Sequence, residues 1–333
     1  MKPFRLKIPA SSANVGCGFD SIGIAISLYL TVTAVPADVL TIEYTGDSPD
    51  NISLDPLKNF LIQVSQYVCN CYGKSLPGMT VCIDNPIPLG RGMGSSGSAV
   101  VAGVALANES LQLNLSKQQM LDLCCVVEGH PDNIAPSLLG GLVASYIRSP
   151  LEPYTSAHYL PNTLLTPPDS MTYSRCLKMN PQIKAVVIVP DFQVKTTDAR
   201  NALPETYTRA DVVFNLSRAA VLTHELCSDS LEATIISEAM QDQIHQPYRE
   251  ILVPGLQEAL AIKPDSIGGL LGVCLSGAGP SILALATHGF DDIGITISQI
   301  LQRYIHEGSH IESFYHVLDI DTVGLVVEHF SSN

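Results

Sequence analysis

Charge is scarce in this chain, and positive charge most of all. Charged residues are 15 % of the 333, with 18 Lys and Arg against 32 Asp and Glu and a formal net charge of −14. That balance excludes a basic face for nucleic acid. Any anionic ligand must be held by local amides and a few chosen arginines, not by the field of the whole molecule. No 18-residue run is free of charges or turn residues as a membrane span requires. The basic start, Met1-Lys2-Pro3-Phe4-Arg5-Leu6-Lys7, has no apolar stretch behind it and does not read as a secretory signal, so a cytoplasmic protein is expected. The nine cysteines are odd in number and scattered. Cys69/Cys71 and Cys124/Cys125 stand too close for an ordinary disulfide or a zinc framework, so reduced thiols filling small core positions are expected. Internal repeats and low-complexity tails are also missing. What remains is apolar: 46 % hydrophobic residues support a large core, in one large domain or two of ordinary size.

Glycine and serine, by contrast, are concentrated. The stretch Pro88-Leu89-Gly90-Arg91-Gly92-Met93-Gly94-Ser95-Ser96-Gly97-Ser98 runs straight into an Ala/Val-rich segment, Ala99 to Leu111, that reads as a buried helix. A loop of backbone N–H groups feeding a helix N-terminus is an anion site, because the unpaired amides and the positive end of the dipole converge. Glycines let the backbone approach a ligand, and the serines can cap the helix, touch phosphate or reach a cation. The loop lacks the lysine that ends a GxxxxGK[ST] phosphate loop.

Along the chain, Phe4, Leu6 and Ile8 alternate with Arg5 and Lys7 as in a strand, and a polar loop from Pro9 to Asp20 follows. There Asn14 and Asp20 read equally as turn residues or as polar contacts, Asp20 suiting an ammonium group. Strands are expected at Thr31–Val35, Val39–Tyr44 and Met79–Ile83, with a helix over Lys58–Tyr72. Ser116 caps a helix that ends at Glu128-Gly129-His130-Pro131-Asp132-Asn133. This polar knot fits a glycine C-cap or a Mg²⁺ ligand beside the glycine loop, and His130 reads as structural. A strand over 140–147 precedes a Pro/Ser/Thr-rich stretch, 149–172, where the domain junction is placed. A buried strand is expected at Ala185–Val189, a helix opening at Asp198-Ala199-Arg200 under a Thr197 cap, and helices over Arg209–Leu226 and 229–242. Taken alone, Arg200 and Arg249 have the default fate of arginine, the surface. A second glycine loop, Ser276-Gly277-Ala278-Gly279-Pro280-Ser281, follows the strand Gly272–Leu275 and leads into apolar Ile282–Ala286. A helix over 291–306 and a strand near Thr322–Val327 complete the pattern.

Pro9–Asp20, Ile87–Ser98 and Ser276–Ser281, in this order, resemble the three motifs of the GHMP kinases, which phosphorylate small alcohols with ATP. Gly92-Met93-Gly94-Ser95-Ser96 matches the core of that family's phosphate loop. The likeness is greatest to the homoserine kinase branch. It is carried by Ser12-Ala13-Asn14-Val15-Gly16-Cys17-Gly18-Phe19-Asp20, with Cys17 where the family usually has Pro, and by Glu128–Asn133. Thr197–Arg200 before Leu203-Pro204, and Asp242 with His245-Gln246-Pro247-Tyr248-Arg249, complete it.

The resemblance implies an α+β fold of two domains, ribosomal protein S5 domain 2-like over 1–165 and ferredoxin-like over 166–333, with the active site in the cleft between them. It implies transfer of the ATP γ-phosphoryl to the side-chain hydroxyl of L-homoserine, a step of threonine biosynthesis, without an obvious strong base. Asn14 and Asp20 would hold the amino acid, Asp20 facing its ammonium, while Arg200 and Arg249 would clamp its carboxylate. Pro88, Gly90, Arg91, Gly92, Met93, Gly94, Ser95, Ser96, Gly97 and Ser98 would wrap the phosphates, with Asn59 in the nucleotide pocket. Ser96 and Glu128 would meet Mg²⁺, Asn133 would sit near the reacting hydroxyl, and Asp132 is a candidate base. A homodimer is also implied. The alternatives are a relative acting on mevalonate-type or sugar alcohols, and a nucleotide-binding protein of the same fold without catalysis.

Overall fold

The computed structural model describes residues 1–148 and 166–331. Its first strand, β1 (Phe4–Ala13), buries Phe4, Leu6 and Ile8 and exposes Arg5 and Lys7, the period of two that half-buries a strand. β2 (Ile22–Pro36) returns antiparallel to it, and β3 (Thr41–Gly46) follows. α1 (Phe60–Cys71) starts at Asn59, whose side-chain oxygen accepts the Ile62 N–H. β4 (Met79–Asn85) lies between β2 and β3 and delivers the chain to the glycine loop.

α2 (Ser95–Leu111) is buried on nearly every side, which accounts for its uninterrupted small and apolar sequence. It begins four residues before the expected Ala99. Gly94 takes the left-handed conformation (φ 68°) that opens the helix, so the serines form its first turn instead of a loop ahead of it. α3 (Lys117–Glu128) carries a full capping box between Ser116 and Gln119, and Gly129 ends it at φ 82°. α4 (Pro131–Leu139) was not legible as a helix, although Pro131 stands in the first turn, where a missing N–H costs nothing. β5 (Leu142–Ile147) pairs with β2 and with β6 (Thr172–Leu177). Of the Pro/Ser/Thr-rich stretch between them, 149–165 lies outside the described residues.

The rest of the chain forms β7 (Lys184–Pro190), α5 (Thr196–Asn201), α6 (Arg209–Glu225), α7 (Ala233–Ala239), α8 (Gln246–Arg249), α9 (Leu256–Leu260), β8 (Leu270–Leu275) and β9 (Ile282–Ala286). Then come α10 (Phe290–Gln302), the small hairpin β10 (Ile305–His306) and β11 (Ser309–His310), β12 (Ser313–Asp319) and β13 (Val326–His329). Two sheets result. The first has the order β13-β1-β2-β4-β3, with β5 on β2 and β6 on β5; the second runs β12-β7-β9-β8. Thus β6 and β13, from late in the chain, complete the first sheet. The mixed α/β arrangement agrees with the expected α+β class.

β7 is buried on both faces. Ala185, Val187 and Val189 share a core with Leu222 and Ile236 of α6 and α7 and with the helices of the first sheet, while Val186 and Ile188 pack with Ile293, Ile297 and Leu301 of α10. Double burial explains why the run Ala185–Val189 shows no alternation. All nine cysteines are free, and six are buried. α5 opens at Lys195 without a side-chain cap, not under Thr197. The helix expected over 229–242 contracts to Ala233–Ala239, because Asp242 turns the chain by accepting the backbone N–H groups of His245 and Gln246. The last strand begins at Val326, after Asp321 Oδ1 has accepted the Val323 and Gly324 N–H groups in a turn. β12 escaped notice because this edge strand leaves Phe314 and Val317 partly exposed and has no clean alternation.

Candidate active site

The three glycine-bearing motifs, far apart in sequence, are stitched together by short hydrogen bonds. Ser11 N–H donates to the Met93 carbonyl (3.2 Å) and Gly277 N–H to the Ala13 carbonyl (3.0 Å). Ser276 Oγ donates to the Gly92 carbonyl (2.6 Å), which leaves it to accept from Ser12 Oγ (2.8 Å). The Asn14 side chain bridges its own loop, accepting the Asp20 N–H (2.8 Å) while donating to the Gly277 carbonyl (3.1 Å). The space they enclose is lined by Pro88, Gly90–Gly97, Glu128, His130, Asn133, Arg200, Arg249 and the turn at Gly277–Gly279.

At one wall stands the N-terminus of α2. First-turn amides have no acceptor within a helix, and here Ser95, Ser96 and Gly97 line the cleft. Ser96 Oγ lies 3.5 Å from Glu128 Oε2, so two hard oxygen donors meet beside the amide cradle. Asn133 lines the same wall, its Oδ1 held by Ser11 Oγ (3.0 Å). A larger, mostly apolar cavity of about 530 Å³ adjoins it, sharing Gly90, Ser95, Ser96, Val194 and Thr196. Tyr44, Asn59, Phe60, Leu89 and Lys195 also line this cavity. Asn59 spends its side chain on capping α1 and on the Ser53 carbonyl (2.8 Å).

The opposite wall carries the charges. Arg200 grips Asp20 through both guanidinium nitrogens (2.9 and 3.3 Å). Arg249, against the surface expectation, is 2 % exposed. Its Nε donates to the Ala199 carbonyl (3.2 Å) and its Nη1 to the Gly277 carbonyl (3.0 Å) and to His245 Nδ1 (3.3 Å). All three acceptors are neutral. Burial accordingly lowers the guanidinium to about 10, despite Asp20 nearby. Phe19 lies against both arginines, 5.9 and 5.4 Å from its ring centre.

His130, read from sequence as structural, lines the cleft. Its Nδ1 makes a short hydrogen bond to Asp132 Oδ1, while Nε2 is buried with no protein partner among the described residues. Burial opposes the imidazolium, but the charge and hydrogen bond of Asp132 outweigh it and raise His130 to about 9. Burial likewise opposes the Asp132 carboxylate, and His130 and the two arginines hold it below its usual value. Asp20, His130 and Asp132 converge with ligating atoms within 4.8 Å. With Arg200 on Asp20 they form a compact cluster of two acidic and two basic groups.

This pair makes stability depend on pH. A histidine raised above its unfolded value near 6.5 stabilises fully below that pH and loses its contribution as pH rises through about 9. The melting temperature is therefore expected to fall between pH 6.5 and pH 9.5 by at least ~2 °C more in the wild type than in His130→Gln, about the shift that 1 kcal/mol gives a domain of 150–250 residues. Equal slopes in calorimetry would rule the charged pair out.

Most of the residues singled out in the sequence thus face one space. Two stand apart. Ser98 Oγ bonds the Pro9 carbonyl (3.0 Å) and lines neither cavity. Asp132 is 1 % exposed and lies behind His130. Met93 contributes backbone only, its side chain being fully buried in the core. Arg91 lines the cleft but sends Nη2 to the Asp191 carbonyl (3.3 Å). Sequence reasoning missed His130, Phe19 and Thr196; the Asp two residues after His130 was the one available sign of its charge.

Comparison with known proteins shows the family to which the chain belongs. The pattern of the GHMP kinases N terminal domain matches residues 59–141, and that of the GHMP kinases C terminal region matches 229–292. A homoserine kinase of Schizosaccharomyces pombe is 45 % identical over 91 % of this chain and 94 % of its own. That of Saccharomyces cerevisiae is 44 % identical over 92 % and 94 %. Among solved structures, the homoserine kinase of Cytophaga hutchinsonii superposes with a TM-score of 0.78 at 27 % identity, covering 98 % of both chains. The mevalonate kinase of L. major shares the fold at a TM-score of 0.63 and 17 % identity, covering 95 % of this chain and 96 % of its own.

Proposed function

Because the chain belongs to the homoserine kinase family of the GHMP kinases, we propose that it transfers the γ-phosphoryl group of ATP to the side-chain hydroxyl of L-homoserine, giving O-phospho-L-homoserine. The observation that carries this choice of acceptor is Arg249. Three neutral acceptors hold Nε and Nη1, Nη2 is left over, and no carboxylate of the described residues lies within ion-pair distance. A buried, oriented cation of this kind suits a ligand carboxylate. Beside it, the Asp20–Arg200 pair juxtaposes the two charges that complement an α-amino acid, which bears ammonium and carboxylate on one carbon.

On this reading the nucleotide's base occupies the apolar cavity next to Asn59, and its phosphates lie against the first turn of α2. Ser96 and Glu128 fit Mg²⁺, being hard oxygens placed together at the cradle; when bound, the ion supplies neutralisation of phosphate charge. Asn133, held by Ser11, orients the acceptor hydroxyl. Asp132 is buried and engaged by the His130 imidazolium, so neither group is a free base at neutral pH. We therefore read the transfer as direct. A loose transition state makes little demand for prior deprotonation, and positioning plus charge stabilisation carry the rate.

We also propose residues 1–165 and 166–333 as its two domains, with β6 and β13 of the second completing the sheet of the first, a cytoplasmic location, and a homodimer. No helix among the described residues is long and apolar enough to cross a membrane. α6 exposes Val213, Leu216 and Val221, a face for a second copy that the mass in solution would check.

The direct test is ATP turnover with L-homoserine, L-serine, L-threonine and mevalonate. We expect kcat/KM for L-homoserine to exceed that of the other acceptors by about 10- to 200-fold or more, the discrimination one methylene provides. Preference for mevalonate, or ATP binding without ADP formation on any acceptor, would overturn the proposal.

A further inference from the structure

His245 is fully buried and does not line the cleft, and yet it touches both halves of the acceptor site. Its Nε2 lies 2.8 Å from the Gly16 carbonyl, in the loop that carries Asn14 and Asp20. Its Nδ1 lies 3.3 Å from Arg249 Nη1. A carbonyl can only accept and a guanidinium can only donate, so the two neighbours dictate one state: neutral imidazole, proton on Nε2, lone pair on Nδ1. Burial and the adjacent guanidinium favour the same neutral form, while Asp242 opposes them.

His245 is itself held in place. Phe19 stacks on it at 5.5 Å and 22°. Its backbone N–H donates to Asp242 Oδ2 (2.9 Å), and Asp242 Oδ1 accepts from Asn215 Nδ2 (2.6 Å), which in turn donates to the Cys17 carbonyl (3.1 Å). Asn215 is one of only two buried residues of α6, so that helix anchors the network.

We propose that His245 is a positioning residue for carboxylate recognition. As a neutral acceptor it fixes the guanidinium plane of Arg249 without cancelling its charge, while its Nε2 proton satisfies the buried Gly16 carbonyl. A carboxylate in its place would pair with Arg249 and compete with the ligand; an apolar side chain would leave Nη1 free to rotate out of register. The inference rests on the amino-acid acceptor proposed above.

Two substitutions separate its contacts. In His245→Asn the amide oxygen replaces Nδ1, keeping the acceptor for Arg249 and losing Gly16. In His245→Gln the amide nitrogen replaces Nε2, keeping Gly16 and losing the acceptor. We expect His245→Gln to raise KM for L-homoserine at least ~10-fold, the lower end for a hydrogen bond to a charged group. His245→Asn should stay within about threefold, and KM for ATP should change little in either. Melting curves verify that both fold; should His245→Gln fail to fold, His245→Leu, which also lacks the acceptor, takes its place with the same expected rise in KM. Equal KM for L-homoserine in both variants, or a tenfold rise in His245→Asn, would overturn the inference. Absence of turnover in the wild type would instead strike the proposed function, so the two failures are distinguishable.

Discussion

Replacing Arg249 by Leu is expected to lower kcat/KM for L-homoserine by about a thousandfold, with ATP affinity changed less than threefold. Truncating one partner of a buried, hydrogen-bonded charge pair costs about 2–5 kcal/mol, which spans roughly 30- to 5,000-fold. The upper range applies because Arg249 is rigidly held and its neighbour Arg200 is already engaged by Asp20. The stability change is the sum of opposing effects. Leucine leaves the carbonyls of Ala199 and Gly277 and Nδ1 of His245 without their donor, at about 1–3 kcal/mol for each group left unpaired. It also removes a buried cation whose charge no contacting carboxylate balances. Calorimetric melting must accompany the kinetics. Arg249→Lys sharpens the result: it returns the charge but not the planar fork, so it should recover only part of the loss. If titration shows ATP affinity falling in step with L-homoserine affinity, Arg249 serves the cleft as a whole and not the acceptor carboxylate.

How much of this site could be read beforehand depends on the range of the interactions. The amide cradle was legible because loop and helix are contiguous: glycines and serines followed by an apolar run specify an anion site within twenty residues. Its boundary was not, since four glycines alternate between loop and cap and only the left-handed Gly94 shows where α2 starts. Ser116 is likewise a local cap legible from its own position, and the structure adds Gln119 as its partner. The acceptor wall is the opposite case. Arg249 is buried by groups from residues 199, 245 and 277, and Asp20 meets Arg200 across 180 positions, so no window of sequence contains either arrangement. Composition alone sends an arginine to the surface. Resemblance to a family named these residues as substrate contacts, but not that Asp20 and Arg200 pair with each other. Even so it left His130 as a structural residue, because its partnership with Asp132 depends on α4 beginning at Pro131 and turning both side chains to one side.

The second large effect concerns the crossing of two loops. Gly92 has φ +79°, and a Cβ there would lie 2.3 Å from the Ser276 carbonyl oxygen and 3.0 Å from that of Gly279. Both obstacles are backbone, which cannot rotate aside. The same Gly92 accepts the Ser276 hydroxyl at its own carbonyl, so the phosphate loop and the turn at 277–279 hold each other in place. Gly92→Ala must therefore separate them, displacing the amides that precede α2 and the Gly277 carbonyl on which Asn14 and Arg249 both depend. We expect ATP affinity and turnover to fall together, each by at least about 100-fold, because donor and acceptor walls share this contact; a 1 Å misplacement alone can cost that much in rate. Backbone strain by itself is the competing cause, and Gly73 controls for it. Gly73 has φ +60°, and a Cβ added there would meet nothing within 4 Å, so Gly73→Ala carries the left-handed penalty of about 1–2 kcal/mol without a clash. It should lower the melting temperature and leave both kinetic constants unchanged. Wild-type ATP affinity in a folded Gly92→Ala protein would show that the loops yield to one another, and the cradle would then have to be independent of the acceptor wall.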